Sequence, residues 1–211
     1  MLEIFSKSLK HRLALPLPGR EAQLKMAHAE RRLNLSRYKI PQDARWGSVL
    51  ILLYEDDGTI KFPLILRADY DGVHSGQIAL PGGKYESPDL DLQATALRES
   101  QEEIGVRQSD VSIIGKLTEL YIPPSNFLVH PYIGTIAYKP MFIPDTAEVA
   151  RIIELDLDTL MDENNLGDKE IKLSSGLTIR TPVFHFQEET VWGATAMMLS
   201  EFKSVLFEMG I

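Results

Sequence analysis

Three glutamates within residues 98–106 have the type and spacing that a divalent cation site requires. Glu99, Glu102 and Glu103 stand at positions i, i+3 and i+4, which places three carboxylates on one face of an α-helix. Like charges that share a helix face repel each other, and partial burial strengthens the repulsion. Bound Mg²⁺ or Mn²⁺ removes it, because carboxylate oxygens are ligands that these ions prefer. The spacing therefore indicates a metal site, but a solvated acidic helix face has the same pattern.

Two glycines precede this helix and could bring the backbone close to a ligand. Gly82 and Gly83 follow a proline and permit backbone angles that other residues rarely adopt, although alone they also fit an ordinary turn. The helix itself is predicted over residues 91–104, with Asp89 or Asp91 as its N-cap and Gly105 as its terminator. Glycine loop and acidic helix together could position a phosphate group beside a cation.

This combination resembles the signature of the Nudix hydrolases, G-x5-E-x7-R-E-U-x-E-E-x-G-U, in which U is aliphatic. The run from Arg98 to Val106 matches every charged and glycine position of its second half. Ser100 departs from the pattern, since it stands where an aliphatic residue is usual. The first half is one residue longer than the pattern, so that Glu86 or Asp89 corresponds to the family's first glutamate, which usually braces the arginine.

The longer spacing and the flanking residues resemble the coenzyme A pyrophosphatase branch of that family. Arg67 and the segment from His74 to Gly83 are similar to the residues that precede the signature in this branch. The run that begins at Trp192, Trp-Gly-Ala-Thr-Ala, is similar to the W-G-x-T-A start of the branch's last helix. The resemblance covers roughly residues 46–211. Asp71-Gly72 stands where the branch has a leucine and an arginine. This difference affects the identity of the substrate and not the hydrolytic chemistry.

The resemblance implies metal-dependent hydrolysis of the pyrophosphate bond in a nucleoside diphosphate derivative, with coenzyme A or an acyl or oxidised form as substrate. Glu99, Glu102 and Glu103 would bind Mg²⁺ or Mn²⁺. Glu102 or Glu148 would act as general base, while Arg98 would orient the glutamates by ion pairing. The substrate-binding residues implied in the same way are Arg67, His74, Gln77, Gly82 and Gly83.

Two alternatives to this function stay open on the sequence. The same chemistry could act on ADP-ribose or another dinucleotide-type substrate, because Asp71-Gly72 departs from the coenzyme A branch. A non-catalytic Nudix-like ligand sensor is the other alternative. Loss of a metal-binding glutamate would favour the sensor, and none of the three is lost.

Charge and composition limit the possible partners. The 211 residues carry a net charge of −8, which argues against a nucleic-acid-binding protein. The chain contains no cysteine, and its longest apolar runs are far shorter than the roughly 20 residues of a membrane span. We therefore expect a cytoplasmic protein that binds neither nucleic acid nor a membrane, and the resemblance implies a small nucleotide as its partner.

Basic residues are concentrated at the start of the chain. Residues 1–45 hold ten Lys or Arg residues against four acidic ones, whereas residues 46–211 are strongly acidic. A solvated helical face would explain this excess of positive charge. The segment could also lie over the catalytic cleft and contact the nucleotide, or mediate a homodimer.

The alternation of strands with a few helices predicts an α/β or α+β sandwich. The resemblance implies the first, an α/β fold with a Nudix-type α/β/α sandwich around a mixed sheet, preceded here by an N-terminal helical arm. We divide the chain into this basic arm, residues 1–45, and a Nudix hydrolase domain, residues 46–211. Helices are predicted over residues 2–12, 20–33, 91–104 and 194–208. Strands are predicted over residues 49–54, 61–67, 77–80, 111–117, 129–137, 151–156 and 177–186.

Overall fold

The computed structural model describes residues 1–33, 39–68, 76–173 and 176–211. The described residues form six α-helices and eleven strands in two sheets. The helices are α1 (Leu2–Leu13), α2 (Gly19–Leu24), α3 (Ala29–Leu33), α4 (Leu92–Ile104), α5 (Leu157–Met161) and α6 (Gly193–Glu208). The strands are β1 (Arg45–Asp56), β2 (Thr59–Arg67), β3 (Ile78–Ala79), β4 (Gly82–Lys84), β5 (Ser112–Lys116), β6 (Leu120–Ile122), β7 (Phe127–Thr135), β8 (Val149–Asp156), β9 (Leu166–Lys172), β10 (Thr178–Phe186) and β11 (Glu189–Val191).

The larger sheet is mixed and is centred on β1. Strand β1 pairs in parallel with β7 on one side, and on the other it pairs antiparallel with β2 and β4. The order across the sheet is β3-β2-β1-β7-β5, with β8 paired to β2 and β6 paired to β7. The tight β1–β2 connection contains Asp57 and Gly58, both at positive φ, and confirms the hairpin that the Asp-Gly pair predicts.

Alternating side chains of β1 enter two hydrophobic cores on opposite faces of this sheet. Leu50 and Leu52 belong to the core beneath α4, which also contains Ala96. Ile51 and Leu53 belong to the larger core, which includes buried residues of α1 and α6. Because successive side chains of a strand point to opposite faces and both faces are buried here, residues 50–53 of β1 are apolar at every position. Helices therefore cover both faces, and the predicted α/β/α sandwich is confirmed.

The basic arm packs against the larger core. Leu2, Leu9 and Leu13 of α1 are buried there, together with Met26 and Ala27 from the segment between α2 and α3. The arm thus combines a charged outer surface with an apolar inner one. It is attached to the sandwich through ordinary hydrophobic burial.

The structure corrects the prediction of a single helix over residues 20–33. The backbone tightens after α2, because the Lys25 and Met26 amides donate hydrogen bonds to carbonyls only three residues earlier, those of Ala22 and Gln23. The chain then begins a separate helix, α3, at Ala29. Burial of the side chains in this turn outweighs the helical periodicity of the sequence.

A second, three-stranded sheet in the order β11-β10-β9 was only partly predicted. Strand β10 follows the prediction, but β9 and β11 were missed, as were the short strands β4 and β6. Strand β9 is mostly exposed and lacks an apolar alternation, while β4, β6 and β11 have three residues each. None of these segments has a hydrophobic pattern long enough to detect.

Among the residues that the structure describes, no helix has the length and apolar character needed to cross a membrane.

Candidate active site

Helix α4 is positioned by caps at both of its ends. The Asp91 carboxylate accepts a hydrogen bond from the Ala94 amide at 2.8 Å, and Gly105 ends the helix in the left-handed conformation. Both caps agree with the prediction. Burial of Ala96, Ser100 and Ile104 sets the rotation of the helix, and Glu103 is buried on the same face.

Glu103 is the most enclosed of the three predicted metal ligands, with 1% of its surface exposed. Its Oε2 accepts a hydrogen bond from the Gly82 amide at 2.7 Å, and its Oε1 lies 3.4 Å from the Arg67 guanidinium. The acidic helix and the glycine pair, which lie about 20 positions apart in sequence, are therefore in direct contact. Arg67, predicted to bind substrate, pairs with the same carboxylate.

Gly82 and Gly83 occupy a space in which a side chain would not fit. A Cβ atom on Gly82 would lie 2.2 Å from the Ser48 carbonyl oxygen, and the φ of Gly82 is +149°. A Cβ atom on Gly83 would lie 2.4 Å from the Glu99 carboxylate. The glycines therefore allow the backbone of β4 to approach β1 on one side and the acidic helix on the other.

Arg98 lies among three carboxylates. It donates to Asp89 through Nε at 2.8 Å and Nη2 at 3.0 Å. Its Nη1 lies 3.0 Å from Glu99 and 2.8 Å from Glu102, and Nη2 also donates to the Lys84 carbonyl at 3.0 Å. One guanidinium thus joins the helix to the loop that precedes it, which is the geometry expected of an orienting residue.

Asp89, and not Glu86, is the acid that contacts the arginine. The Asp89 carboxylate also accepts hydrogen bonds from the Glu86 amide at 3.0 Å and the Thr95 hydroxyl at 2.9 Å. The Arg98 guanidinium and these further donors hold the Asp89 pKa well below its usual range. The extra residue in the first half of the signature is accommodated without loss of the acid–arginine pair.

Burial of the glutamates makes their ionisation costly in the absence of a cation. It raises the pKa of Glu103 to about 7, against the opposing effects of the Gly82 amide and Arg67. Burial also raises the pKa of Glu99, despite its contact with Arg98. The negative charge of Glu148 raises both pKa values further. A divalent cation at this point would stabilise the ionised carboxylates.

The carboxylates fit Mg²⁺ or Mn²⁺ in their chemistry but do not converge on one point. The Glu102 side chain is 55% exposed and turned towards Arg98. Within the described part of the chain, no three His, Cys, Asp or Glu side chains are grouped as a ready metal site. Glu99 and Glu103 nonetheless supply hard oxygen donors beside the glycine pair, and a cation bound there would offset the cost of burying them.

The predicted substrate-binding residues lie along a large cavity. Arg67, Gln77, Gly82 and Gly83 contribute to its wall, and its volume is about 950 Å³. This is at the upper end of the range for small-molecule sites. His74 and the Asp71-Gly72 departure lie outside the described residues. Glu148 is exposed and precedes β8.

The cavity includes residues that the sequence patterns did not single out. His28 and Arg31 of the arm line it, as do Lys172 and Ile179 of the second sheet. Phe127 of β7 adds an aromatic surface. In the sequence, only the positive charge of residues 1–45 pointed to a role for the arm residues. It did not decide whether the arm contacts the cleft or forms a dimer interface. The structure brings the arm to the cleft.

Comparison with known proteins gives consistent matches. The NUDIX domain family matches residues 44–171. Nudix hydrolase 15, mitochondrial, of Arabidopsis thaliana is 34% identical over 168 residues, which are 77% of this chain and 59% of that protein. This chain thus spans less than two thirds of the Arabidopsis relative. An uncharacterized Nudix hydrolase of Yersinia pestis, NudL, is 29% identical over 177 residues, covering 84% of this chain and 87% of NudL.

Solved structures share the fold at low sequence identity. A MutT/nudix family protein from Enterococcus faecalis aligns with a TM-score of 0.54 at 16% identity and covers 92% of this chain and 76% of its own. The Nudix hydrolase RenU from M. smegmatis aligns with a TM-score of 0.53 at 15% identity and covers 80% of this chain and 89% of its own. These likenesses support the architecture described above.

Proposed function

Because the chain belongs to the Nudix family, we propose that it hydrolyses the pyrophosphate bond of a nucleoside diphosphate derivative with the aid of Mg²⁺ or Mn²⁺. The family match and the relatives named Nudix hydrolase confirm the predicted enzyme class. Coenzyme A, or an acyl or oxidised form of it, is the substrate that we propose.

The contact between Glu103 and Gly82 carries this proposal. It places a buried carboxylate, whose ionisation burial disfavours, directly behind a glycine that lines the cavity, and the charged residues among the described lining are all basic. Glu99 touches the adjacent Gly83. A diphosphate and its cation would supply at this point the negative and positive charges that complement the wall.

Each side chain of the site has its own role in the proposed reaction. A cation held by Glu99, Glu102 and Glu103 would neutralise the diphosphate and lower the pKa of water. Arg98 orients Glu99 and Glu102, and Arg67 can pair with a substrate phosphate on the cavity wall. Glu102, more than half exposed, is the proposed general base for the attacking water, and Glu148 is the alternative.

The test is hydrolysis of a substrate panel by the unaltered protein and two variants. Coenzyme A, its oxidised and acyl forms, ADP-ribose, NADH and diadenosine polyphosphates are compared in Mg²⁺ and Mn²⁺. Glu103→Gln removes a metal ligand without a change of shape, and Glu86→Gln is a matched control because Glu86 is exposed. We expect coenzyme A to be the best substrate and only Glu103→Gln to lose activity.

Other outcomes would redirect the proposal. A preference for ADP-ribose or another dinucleotide-type compound would retain the reaction and replace the substrate. Binding without hydrolysis of any compound, with folded protein and metal present, would favour a ligand sensor. Equal activity of Glu103→Gln and the unaltered protein would overturn the assigned metal site.

We also propose a cytoplasmic setting, with a small nucleotide as partner and neither nucleic acid nor membrane. The division into an arm, residues 1–45, and a domain, residues 46–211, remains a proposal, as does a homodimer. Size-exclusion chromatography with light scattering tests the dimer.

A further inference from the structure

We propose that His28 and Arg31 of the arm form an anion subsite, which binds a phosphate monoester separate from the scissile diphosphate. This inference rests on the proposed function, since it concerns the other end of the same substrate. It gives the arm a direct role in substrate selection.

The distribution of charge in the cavity is the first observation. Its lining includes the basic residues Arg67, Lys84, Arg31 and Lys172 together with His28, and no carboxylate occurs among the described lining residues. This is unusual in a protein whose net charge is −8. A cavity of this kind attracts anions.

These basic groups come from two separate regions. Arg67 and Lys84 belong to β2 and β4, beside the glycine pair where the diphosphate is proposed to bind. His28 and Arg31 come from the arm. A diphosphate bound at the glycine pair would lie beside Arg67 and Lys84, but not beside the arm residues.

The sheet sets the separation between the two regions. Gly83 of β4 pairs with β1, β1 pairs with β7, and β7 pairs with β6. Arg31 donates to the carbonyl of Tyr121, on β6, at 2.5 Å. Three strand spacings of ~4.8 Å therefore lie between the glycine pair and the strand that holds Arg31, or ~14 Å. This separation is longer than a diphosphate, which leaves room for a second anionic group beside the arm.

A buried carboxylate holds the arm at the cavity. Glu201 of α6 has no exposed surface and accepts hydrogen bonds from the Gly19 amide at 3.1 Å, the Gln23 side-chain amide at 2.8 Å and the Thr118 amide at 3.2 Å. The Ser200 hydroxyl donates to the Ala22 carbonyl at 2.7 Å. The first part of the arm is therefore fixed to α6, which restricts where the following residues, His28 and Arg31, can lie.

The experiment compares substrates that differ by one phosphate. Coenzyme A carries a 3′-phosphate on its ribose, and 3′-dephospho-coenzyme A lacks it. NADPH and NADH form a second pair, with the phosphate on the 2′ oxygen. The measured quantity is kcat/KM for the substrate with the ribose phosphate divided by kcat/KM for the substrate without it. In the preferred pair, we expect Arg31→Gln to lower this ratio about tenfold or more, since it removes a charge-assisted contact. Arg32→Gln, an exposed neighbour, is the matched control and leaves the ratio unchanged.

Two further variants separate recognition from folding. Arg31→Lys retains the charge and is expected to recover most of the ratio. His28→Gln lowers the ratio without changing the contact between Arg31 and Tyr121. If Arg31→Gln does not fold, the His28→Gln ratio decides, and an unchanged ratio overturns the subsite.

Binding of product-like ligands separates this inference from the proposed function. Adenosine 3′,5′-bisphosphate should bind more tightly than AMP in calorimetric titrations, and Arg31→Gln should remove the difference. If this holds while coenzyme A is not hydrolysed, the subsite stands and the proposed substrate fails. Hydrolysis of coenzyme A with a ratio that Arg31→Gln leaves unchanged overturns the subsite and retains the function.

Discussion

The two ends of the cavity are built in different ways. At one end, a single stretch from Gly82 to Gly105 provides the glycine pair, the orienting arginine and the acidic helix. At the other, His28 and Arg31 come from the arm, and Lys172 of the second sheet adds a further part of the wall from a segment distant in sequence. The comparison suggests that reaction chemistry resides in one local unit and substrate preference in a wall assembled from distant segments. Substitutions at the first end should lower the rate with every substrate, and those at the second should change the ratio between substrates.

The largest effect is expected from Gly83→Ala. The added methyl group would lie 2.4 Å from the Glu99 carboxylate, so that this proposed metal ligand must move. We expect about a hundredfold loss of kcat/KM, equivalent to ~2.7 kcal/mol of transition-state stabilisation. The loss should be equal for coenzyme A and its dephospho form. A variant with near-normal activity would show that the position of Glu99 is unimportant.

Asp89→Asn tests the pair that connects the catalytic loop to its helix. Asp89 is buried and accepts two hydrogen bonds from Arg98, and its loss should destabilise the protein by ~2 kcal/mol. Because the pair lowers the pKa of Asp89, this stabilisation is present above the ordinary value of 3.8 and is lost as the pH falls towards the lowered value. Urea unfolding should therefore separate the variant from the unaltered protein at pH 7, and less so near pH 3. Asp91→Asn is the control, since Asn is an equally good N-cap, and an equal loss in both variants would contradict the argument.

Cation binding at the same end should depend on pH. Glu103 has a pKa of about 7 in the metal-free protein, and a cation binds its ionised form. Affinity for Mn²⁺ should therefore weaken about tenfold between pH 8 and pH 6, and binding at pH 7 should release about half a proton from Glu103. Calorimetry in buffers of different ionisation enthalpy measures this release. Mn²⁺ binding without proton release would show that Glu103 is not a ligand of the cation.

The smallest effect is expected from Lys172→Gln, in the part of the wall that the second sheet contributes. Lys172 is exposed, and solvent weakens its attraction for an anion. We expect about a two- to threefold fall in the coenzyme A to dephospho-coenzyme A ratio, and the fall should shrink at high salt. Lys169→Gln on the same strand is the control, because Lys169 does not line the cavity and contacts Thr190. A larger effect from Lys169 would place the anion elsewhere.

The sequence was most informative where function depends on local spacing. A helix of known period fixes which side chains share a face, so that Glu99, Glu102 and Glu103 could be grouped. The residue types at its ends identified the C-cap Gly105 and left the N-cap between Asp89 and Asp91. The contact between Glu103 and Gly82 is not a periodic feature, but the similarity to a family signature brought the two segments together. The assignment of Asp89 as the partner of Arg98 required the structure, because the loop is one residue longer than the pattern.

The opposite wall was less predictable for a physical reason. The turn after α2 depends on burial of Met26 and Ala27 against residues distant in sequence, and periodicity alone extends the helix through it. Strand β9 is polar and exposed, so that only its pairing with β10 defines it. Long-range packing, which a local pattern does not contain, determines where Arg31 and Lys172 lie.

The Glu201 contact also has a consequence for the order of events during synthesis. Gln23 and Glu201 are 178 positions apart, so the arm leaves the ribosome long before its partner helix exists. Until α6 has been made, the apolar side of the arm has no complete surface to cover and is available to chaperones. The cavity wall is therefore finished only at a late stage of folding. A nascent chain stalled before α6 would carry the complete acidic helix and still lack the pocket beside it.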